Sequence, residues 1–201
     1  MEQFLPLVFS ESRKVEKNYQ NPEQEGKMAT IAVLVDNLFE DVEYDAPVEA
    51  FKNRGHKVVV LGLKKGALLR GKKGEKEVRV DMEVGSADPN SFDALFVPGG
   101  YSPDRLRAHN EPVIFTRAFF DTSKPIFLIC HAPQLLISAR LLGGRKITGW
   151  KSIKQDIKNA GAEFIDSPVV VDENLISSRG PADMSRFIET TLEMLDKQDI
   201  G

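Results

Sequence analysis

The stretch that most constrains the fold is a run of four large apolar residues, Ile126–Ile129, which ends at the single cysteine, Cys130. A short uninterrupted apolar run is typical of a strand that is buried on both faces of a parallel sheet. A helix is expected directly afterwards, over about residues 133–142, because Pro133 suits a first helical turn and two glycines follow the segment. A strand, a sharp turn and a helix with a nucleophilic residue at the corner are typical of a nucleophile elbow.

The composition of the chain and the position of Cys130 favour different interpretations of this residue. Free cysteines are among the most frequently buried residue types, and most of them are inert. Cys130, however, follows a predicted strand, and ligands bind at the carboxyl ends of the strands in open α/β sheets. The start of a helix would also favour the thiolate, through its unpaired N–H groups and its dipole. The position therefore favours a reactive cysteine.

The rest of the chain predicts an α/β fold in which a parallel sheet is covered on both faces. Residues 30–35 form an apolar, β-branched run, residues 43–54 have a helical pattern, and residues 57–61 form a second strand. A β-α-β start of this kind is typical of a three-layer α/β/α sandwich. Further strands are expected at about residues 92–97, 146–149 and 162–165, with an antiparallel hairpin of residues 169–171 and 175–178. Further helices are expected from Ser102, over residues 112–120, over 152–159 and over 183–197.

The length and composition indicate one folded domain, over residues 28–201. The chain has 201 residues, of which 41% are hydrophobic, and this is enough to bury a complete core. Residues 1–27 have a small apolar patch followed by polar, aperiodic sequence, which predicts a flexible extension. One cysteine cannot form an internal disulfide, and the N-terminus lacks the features of a secretory signal, so we expect a cytoplasmic protein.

The charge of the chain argues against nucleic-acid and membrane partners. The net charge is −3, and the one basic segment, residues 64–79, has no interleaved aromatic residues. We therefore interpret residues 64–79 as a solvated hairpin. No glycine-rich nucleotide-binding pattern is present in the sequence, and the three histidines and Cys130 lack the spacing of metal ligands. We expect no metal and no cofactor.

A thiolate nucleophile needs a proton carrier and hydrogen-bond donors for an oxyanion. Gly100 ends a second predicted strand, so its backbone N–H and that of His131 are candidate oxyanion-hole donors. The His131 side chain is a candidate acid and base. Glu40 follows the first strand, and a carboxyl buried against a thiolate can donate a hydrogen bond to the sulfur. Asp41 and Glu43 better fit the role of acids in the first turn of a helix.

Several segments resemble, in the right order, the PfpI intracellular protease/deglycase family of the class I glutamine amidotransferase-like superfamily. The similarity extends over about residues 29–195 and is carried by residues 39–43 (FEDVE), 92–100 (FDALFVPGG), 129–139 (ICHAPQLLISA) and 177–183 (SSRGPAD). The resemblance implies a flavodoxin-like sandwich in which Cys130 is the nucleophile, Glu40 bonds the thiol, and Gly100 and His131 supply the oxyanion hole.

The resemblance also implies a second subunit at the site. In the proteases of the family, an acid from a neighbouring subunit completes the catalytic histidine, and the matching position here is Asp104. Asp104 is one methylene shorter than the glutamate usual in those proteases. Two other departures concern the pocket: Ala132 replaces the usual glycine, and Trp150 replaces smaller residues. We expect these two residues, with Gly99 and Arg179, to line the pocket, and we expect a homodimer or higher homo-oligomer.

Three functions follow from this interpretation. The first is a cofactor-independent hydrolase that acts on methylglyoxal- or glyoxal-derived adducts, or on the free dicarbonyls, in a stress response. The second is a cysteine peptidase with an inter-subunit triad of Cys130, His131 and Asp104, ranked lower because the acid departs from the protease pattern. The third is a redox sensor with little turnover, since an accessible thiol of low pKa oxidises readily.

Overall fold

The computed structural model describes residues 28–197 and contains eleven strands and six α-helices. The expected flexible extension, residues 1–27, lies outside the described residues. The strands are β1 (Thr30–Leu34), β2 (Lys57–Gly62), β3 (Leu68–Arg70), β4 (Glu77–Arg79), β5 (Met82–Glu83), β6 (Ala94–Val97), β7 (Ile126–Ile129), β8 (Lys146–Ile147), β9 (Glu163–Phe164), β10 (Val169–Asp172) and β11 (Leu175–Ser178). The helices are α1 (Asp41–Asn53), α2 (Ser102–Leu106), α3 (Asn110–Asp121), α4 (Pro133–Ala139), α5 (Lys154–Asn159) and α6 (Met184–Asp196).

A seven-stranded sheet organises the fold, in the order β10-β11-β7-β6-β1-β2-β5. All neighbouring strands run parallel except the edge pair, in which β10 is antiparallel to β11. The five central parallel strands follow the flavodoxin-like order, in which the chain crosses from β2 past β1 to β6. The carboxyl ends of β1, β6 and β7 therefore lie side by side at one edge of the sheet.

Alternating side chains of the central strands enter two separate apolar cores, one on each face of the sheet. Along β7, for example, Phe127 and Ile129 belong to one core, whereas Ile126 and Leu128 belong to the other. Helices α1 and α6 pack together on the first face, and α3 packs on α4 on the second. Because both faces are covered, the strands have continuous apolar sequences rather than alternating ones. The three-layer α/β/α sandwich is confirmed.

Most predicted elements are present, and the differences concern their ends. Strand β7 and the antiparallel β10–β11 hairpin lie where the sequence predicts them. The basic segment, residues 64–79, contains the short antiparallel hairpin of β3 and β4. Helix α4 ends at Ala139, three residues earlier than predicted, because Arg140 has a left-handed backbone with φ 58°. Of the helices within residues 28–197, none is long and apolar enough to cross a membrane.

Candidate active site

Cys130 lies at the sharp turn between β7 and α4, in a backbone conformation that non-glycine residues rarely adopt. Its φ is 61°, and such a left-handed residue costs on the order of 1–3 kcal/mol. Hydrogen bonds hold the turn on both sides: the Cys130 N–H donates to the Ser178 carbonyl at 2.9 Å, and the Trp150 N–H donates to the Cys130 carbonyl at 2.8 Å. The predicted nucleophile elbow is present, and 6% of Cys130 is exposed.

The carboxyl group that lies against the Cys130 thiol belongs to Glu43, in the first turn of α1. Glu43 is completely buried, and its Oε2 accepts a hydrogen bond from the Gly99 N–H at 3.1 Å. Burial raises the pKa of Glu43 to about 7, although its interaction with the Cys130 thiol opposes this shift. Near neutral pH, Glu43 can therefore hold a proton next to the sulfur and release it.

This placement corrects the prediction that Glu40 bonds the thiol. Glu40 directly precedes α1, and its carboxylate extends to the hairpin, where it pairs with Lys72 at 3.3 Å and with Lys73 at 3.7 Å. Glu43 is three residues further on, so the helical turn directs it toward the ends of β6 and β7. The prediction that Glu43 is only a first-turn acid is wrong for the same reason.

Asp41, the other predicted first-turn acid, holds the β3–β4 hairpin against the site. Its carboxylate accepts hydrogen bonds from the N–H groups of Lys73 and Lys76, each at 2.9 Å. Burial opposes ionisation, but these N–H donors outweigh it and lower the pKa of Asp41. Asp41 therefore fixes the hairpin turn that carries Lys72.

The two predicted oxyanion donors converge on the sulfur. The N–H groups of Gly100 and His131 lower the pKa of the Cys130 thiol, which favours the thiolate. Burial and the charge of Glu43 have the larger effect, and the pKa of Cys130 is raised overall. Gly100 has φ +75°, and a Cβ there would lie 2.4 Å from the Glu40 nitrogen, so this position requires glycine.

The His131 imidazole bridges the thiol and a hydroxyl that was not predicted. Its Nδ1 lies 3.3 Å from Cys130 Sγ, and its Nε2 lies 3.2 Å from Ser152 Oγ. Burial and the charge of Lys72 lower the pKa of His131, so the ring is neutral at neutral pH, with one nitrogen protonated. A neutral imidazole in this position can accept a proton from the thiol.

Asp104 lies on α2 and does not hydrogen-bond His131 within one chain. Its carboxylate pairs with Arg107, with N–O distances of 2.6 and 2.9 Å, and 57% of its side chain is exposed. Its charge nevertheless opposes the lowering of the pKa of His131. The contact of Asp104 with His131 of a second subunit stays a prediction.

The reactive groups line a cavity of ≈ 400 Å³. Its lining consists of Glu40, Glu43, Lys72, Gly100, Tyr101, Cys130, His131, Trp150, Ser152 and Pro181. Among the predicted pocket residues, Trp150 lines this cavity, and Gly99 supplies the N–H bonded to Glu43. A Cβ at Gly99 would lie 2.4 Å from that carboxylate, so its missing side chain makes room for Glu43.

Two predicted pocket residues lie elsewhere. Ala132 is fully buried in the core on the α4 side of the sheet, because the residue after His131 already turns into the helix. Arg179 pairs with Asp183 and Asp166 and lines a neighbouring cavity instead. Within residues 28–197, no group of three or more His, Cys, Asp or Glu side chains is arranged to hold a metal ion.

Sequence reasoning missed five residues that line the cavity: Glu43, Lys72, Tyr101, Ser152 and Pro181. The basic segment was the available signal for Lys72, because Gly71 and Gly74 mark a tight turn there. Tyr101 directly follows Gly100 and Ser152 is two residues after Trp150, but neither has a pattern that distinguishes it. For Glu43, the periodicity of α1 was the relevant signal.

The fold and site together define a class of protein: a flavodoxin-like sandwich with a buried cysteine at a nucleophile elbow, flanked by a carboxyl of raised pKa. The chain belongs to the DJ-1/PfpI family, whose model matches residues 29–194. This assignment confirms the resemblance found in the sequence.

Relatives of similar length carry different functional names. A protein named protein/nucleic acid deglycase 2 from Escherichia coli is 48% identical over 166 residues, which cover 82% of this chain and 96% of the relative. General stress protein 18 of Bacillus subtilis is 48% identical, with coverage of 83% and 98%. A third relative, YraA of Bacillus subtilis, is named as a candidate cysteine protease and is 47% identical, with coverage of 82% and 97%.

Solved structures agree with the fold. A two-domain protein from Anabaena variabilis, with DJ-1/ThiJ/PfpI-like and ferritin-like domains, superposes with a TM-score of 0.82 at 34% identity. The match covers 86% of this chain and 52% of that protein. DJ-1 of Schizosaccharomyces pombe has a TM-score of 0.74 at 23% identity, with coverage of 85% and 93%, and it supports the fold alone.

Proposed function

We propose that the protein is a cysteine-dependent hydrolase of dicarbonyl adducts, acting on methylglyoxal- or glyoxal-modified amines and on the free dicarbonyls in a stress response. The observation that carries this proposal is the contact between Cys130 and the buried Glu43, whose pKa of about 7 suits proton transfer at neutral pH. The names of the deglycase and stress-protein relatives support the choice of substrate. We place the activity in the cytoplasm, because the single cysteine suits a reducing compartment.

The first step forms a bond between sulfur and carbon. The Cys130 thiol gives its proton to His131 as the sulfur adds to the aldehyde carbon of methylglyoxal, and the oxygen of that carbonyl receives a proton, giving a hemithioacetal. In a modified amine, the same carbon carries a hydroxyl and the nitrogen, and the amine leaves with a proton as the C–S bond forms. We infer that the N–H groups of Gly100 and His131 stabilise negative charge on the oxygen.

The second step moves hydrogen within the bound adduct. A proton leaves the sulfur-bearing carbon and another is delivered to the neighbouring carbonyl carbon. The hydroxyl on the first carbon also loses its proton while the oxygen on the second gains one, which converts the hemithioacetal into a lactoyl thioester. One carbon is oxidised while its neighbour is reduced, so no external oxidant is needed. Glu43 and the neutral His131 are the groups within reach for these transfers. Water then hydrolyses the thioester and releases lactate and the thiol.

A cysteine peptidase is the second candidate, supported by the name of the YraA relative. A peptidase must protonate a leaving amine, so it depends on a charged and oriented His131. Within one chain, burial lowers the pKa of His131, and its Nε2 faces the Ser152 hydroxyl rather than a carboxylate. We therefore propose that peptidase activity requires a homodimer or higher homo-oligomer in which Asp104 of a second subunit reaches His131.

The proposed function is tested by measuring lactate release from methylglyoxal and from a methylglyoxal-modified peptide by the purified protein. Hydrolysis of an unmodified fluorogenic peptide is measured in parallel, with Cys130→Ser as the control. We expect lactate from both dicarbonyl substrates and only background with Cys130→Ser. Equal lactate release by the two proteins would exclude the hydrolase mechanism. Peptide cleavage without lactate release would favour the peptidase.

A further inference from the structure

A second cavity, of ≈ 370 Å³, adjoins the candidate active site. Trp150 lines both cavities, and the residues around it divide between them: Ser152 and Pro181 line the first, whereas Lys151 and Gly180 line the second. A substrate larger than a dicarbonyl can therefore extend from the cysteine past Trp150 into this second space.

Trp150 is held firmly as the wall between the cavities. Its backbone N–H donates to the Cys130 carbonyl at 2.8 Å, which ties the wall to the elbow. Its ring packs against Gly180, where a Cβ would lie 3.2 Å from two ring carbons. The His131 ring is close by, with 6.3 Å between the ring centroids. Trp150 therefore separates the two cavities directly beside the elbow.

The second cavity combines aromatic faces with an excess of positive charge. Lys151 Nζ lies 6.0 Å from the centre of the Trp150 ring, and Lys154 Nζ lies 5.5 Å from the centre of the Phe164 ring. Within the part of the chain that the structure describes, neither lysine pairs with a carboxylate. The lining has three cationic and two anionic side chains, so a net charge of +1 remains, and Lys151 and Lys154 are the cations that can bind a ligand beside an apolar surface.

The one guanidinium in this cavity is already occupied. Arg179 pairs with Asp183 at 2.8 Å and with Asp166 at 2.9 Å. Arginine is the residue best suited to bind a phosphate through two parallel hydrogen bonds, and here that capacity is used. The two aspartates would also repel a doubly charged phosphate more strongly than a singly charged carboxylate. The cavity thus favours a carboxylate attached to an apolar stem.

We propose that the second cavity is a subsite for an acidic residue adjoining the modified side chain, so that acidic peptides are the preferred substrates. This inference rests on the proposed hydrolase function. The carbonyl adduct occupies the cavity at Cys130, the peptide passes Trp150, and the neighbouring glutamate or aspartate places its carboxylate between Lys151 and Lys154. Its methylene groups lie on the faces of Trp150 and Phe164.

The test compares two peptides that each carry one methylglyoxal-modified lysine, flanked by glutamate in one and by glutamine in the other. The readout is the ratio of kcat/KM for the two peptides, measured as lactate release, so differences in overall activity between proteins cancel. Exposed ion pairs are worth about 0.2–1 kcal/mol each, so two lysines together predict a preference of roughly two- to thirtyfold for the glutamate peptide. The variants are Lys151→Glu and Lys154→Glu. Lys158→Glu, an exposed change of equal charge on the same helix as Lys154, is the control.

The expected result is that Lys151→Glu and Lys154→Glu each abolish or reverse the preference, whereas Lys158→Glu retains it. An equal ratio for the two peptides in the wild-type protein would overturn the subsite while leaving the proposed function intact. A loss of preference in Lys158→Glu as large as in Lys154→Glu would also overturn it, because the effect would then reflect net charge. If Lys154→Glu lowers kcat/KM for a methylglyoxal-modified nucleoside monophosphate but for neither peptide, the subsite binds phosphate and the inference is wrong. No lactate from any substrate would remove the proposed function and the inference together.

Discussion

Replacing Glu43 by glutamine should make the protein more stable and less active. The buried carboxyl has its pKa raised from 4.5 to about 7, so its ionised form is disfavoured by about 3 kcal/mol in the folded protein. The folded protein binds the proton more tightly than the unfolded chain does. The free energy of unfolding therefore falls as the pH rises from about 4.5 to about 7, and it stays lower above that range. Glutamine has a similar shape and cannot ionise, so the variant lacks this penalty.

The expected gain for Glu43→Gln is about 1–3 kcal/mol at pH 8 and close to zero at pH 4.5, measured by urea unfolding. Loss of a proton carrier should lower kcat/KM for lactate release by about 10²–10⁴-fold. Glu49→Gln, an exposed change on the same helix, is the control for stability. A gain that does not depend on pH would refute the buried ionisation of Glu43. A larger loss of activity in Glu40→Gln than in Glu43→Gln would refute its role at the thiol.

Three further predictions concern the surroundings of the thiol. Gly100→Ala should lower the free energy of unfolding in urea by roughly 2–4 kcal/mol, because the φ is unfavourable for alanine and the added Cβ would clash with the Glu40 backbone. Gly66→Ala is the control: its φ is +79° but the space around it is open, so it should cost only about 1 kcal/mol. Lys72→Met should raise the pKa of Glu43 further, because the Lys72 ammonium lowers that pKa in the wild-type protein. The free energy of unfolding should then continue to fall up to a higher pH than in the wild-type protein, and an unchanged pH dependence would contradict this. Asp104→Asn should abolish any peptidase activity and leave lactate release within about threefold, and equal losses in both assays would contradict the separate roles.

The fold was predictable because each central strand is a short apolar run that can be recognised in the sequence. The runs at β1, β6 and β7 are apolar on both faces, which is possible only in a sheet covered on both sides. The nucleophile elbow followed from the abrupt end of β7 at Cys130 and the helix-compatible residues after it. The lengths of α4 and β8 were less predictable, because element ends depend on single backbone conformations such as that of Arg140.

The carboxyl partner of the thiol was not predictable from proximity in the sequence. Glu40 and Glu43 both follow β1, and the turn of α1 decides which of them faces the sulfur. The start of that helix at Asp41, fixed partly by hydrogen bonds to the β3–β4 hairpin, turns Glu43 inward and Glu40 toward Lys72. These contacts join segments about thirty residues apart, so the periodicity of α1 shows which side chains share a face of the helix but not where the helix begins.

The most direct test of the account is the relation between alkylation of Cys130 and activity. The chain has one cysteine, so iodoacetamide modifies a single thiol, and intact-mass analysis gives the modified fraction of each sample. If Cys130 is the nucleophile, lactate release from methylglyoxal falls in direct proportion to that fraction and reaches background when every molecule is alkylated. Fully alkylated protein that retains its activity would contradict the account.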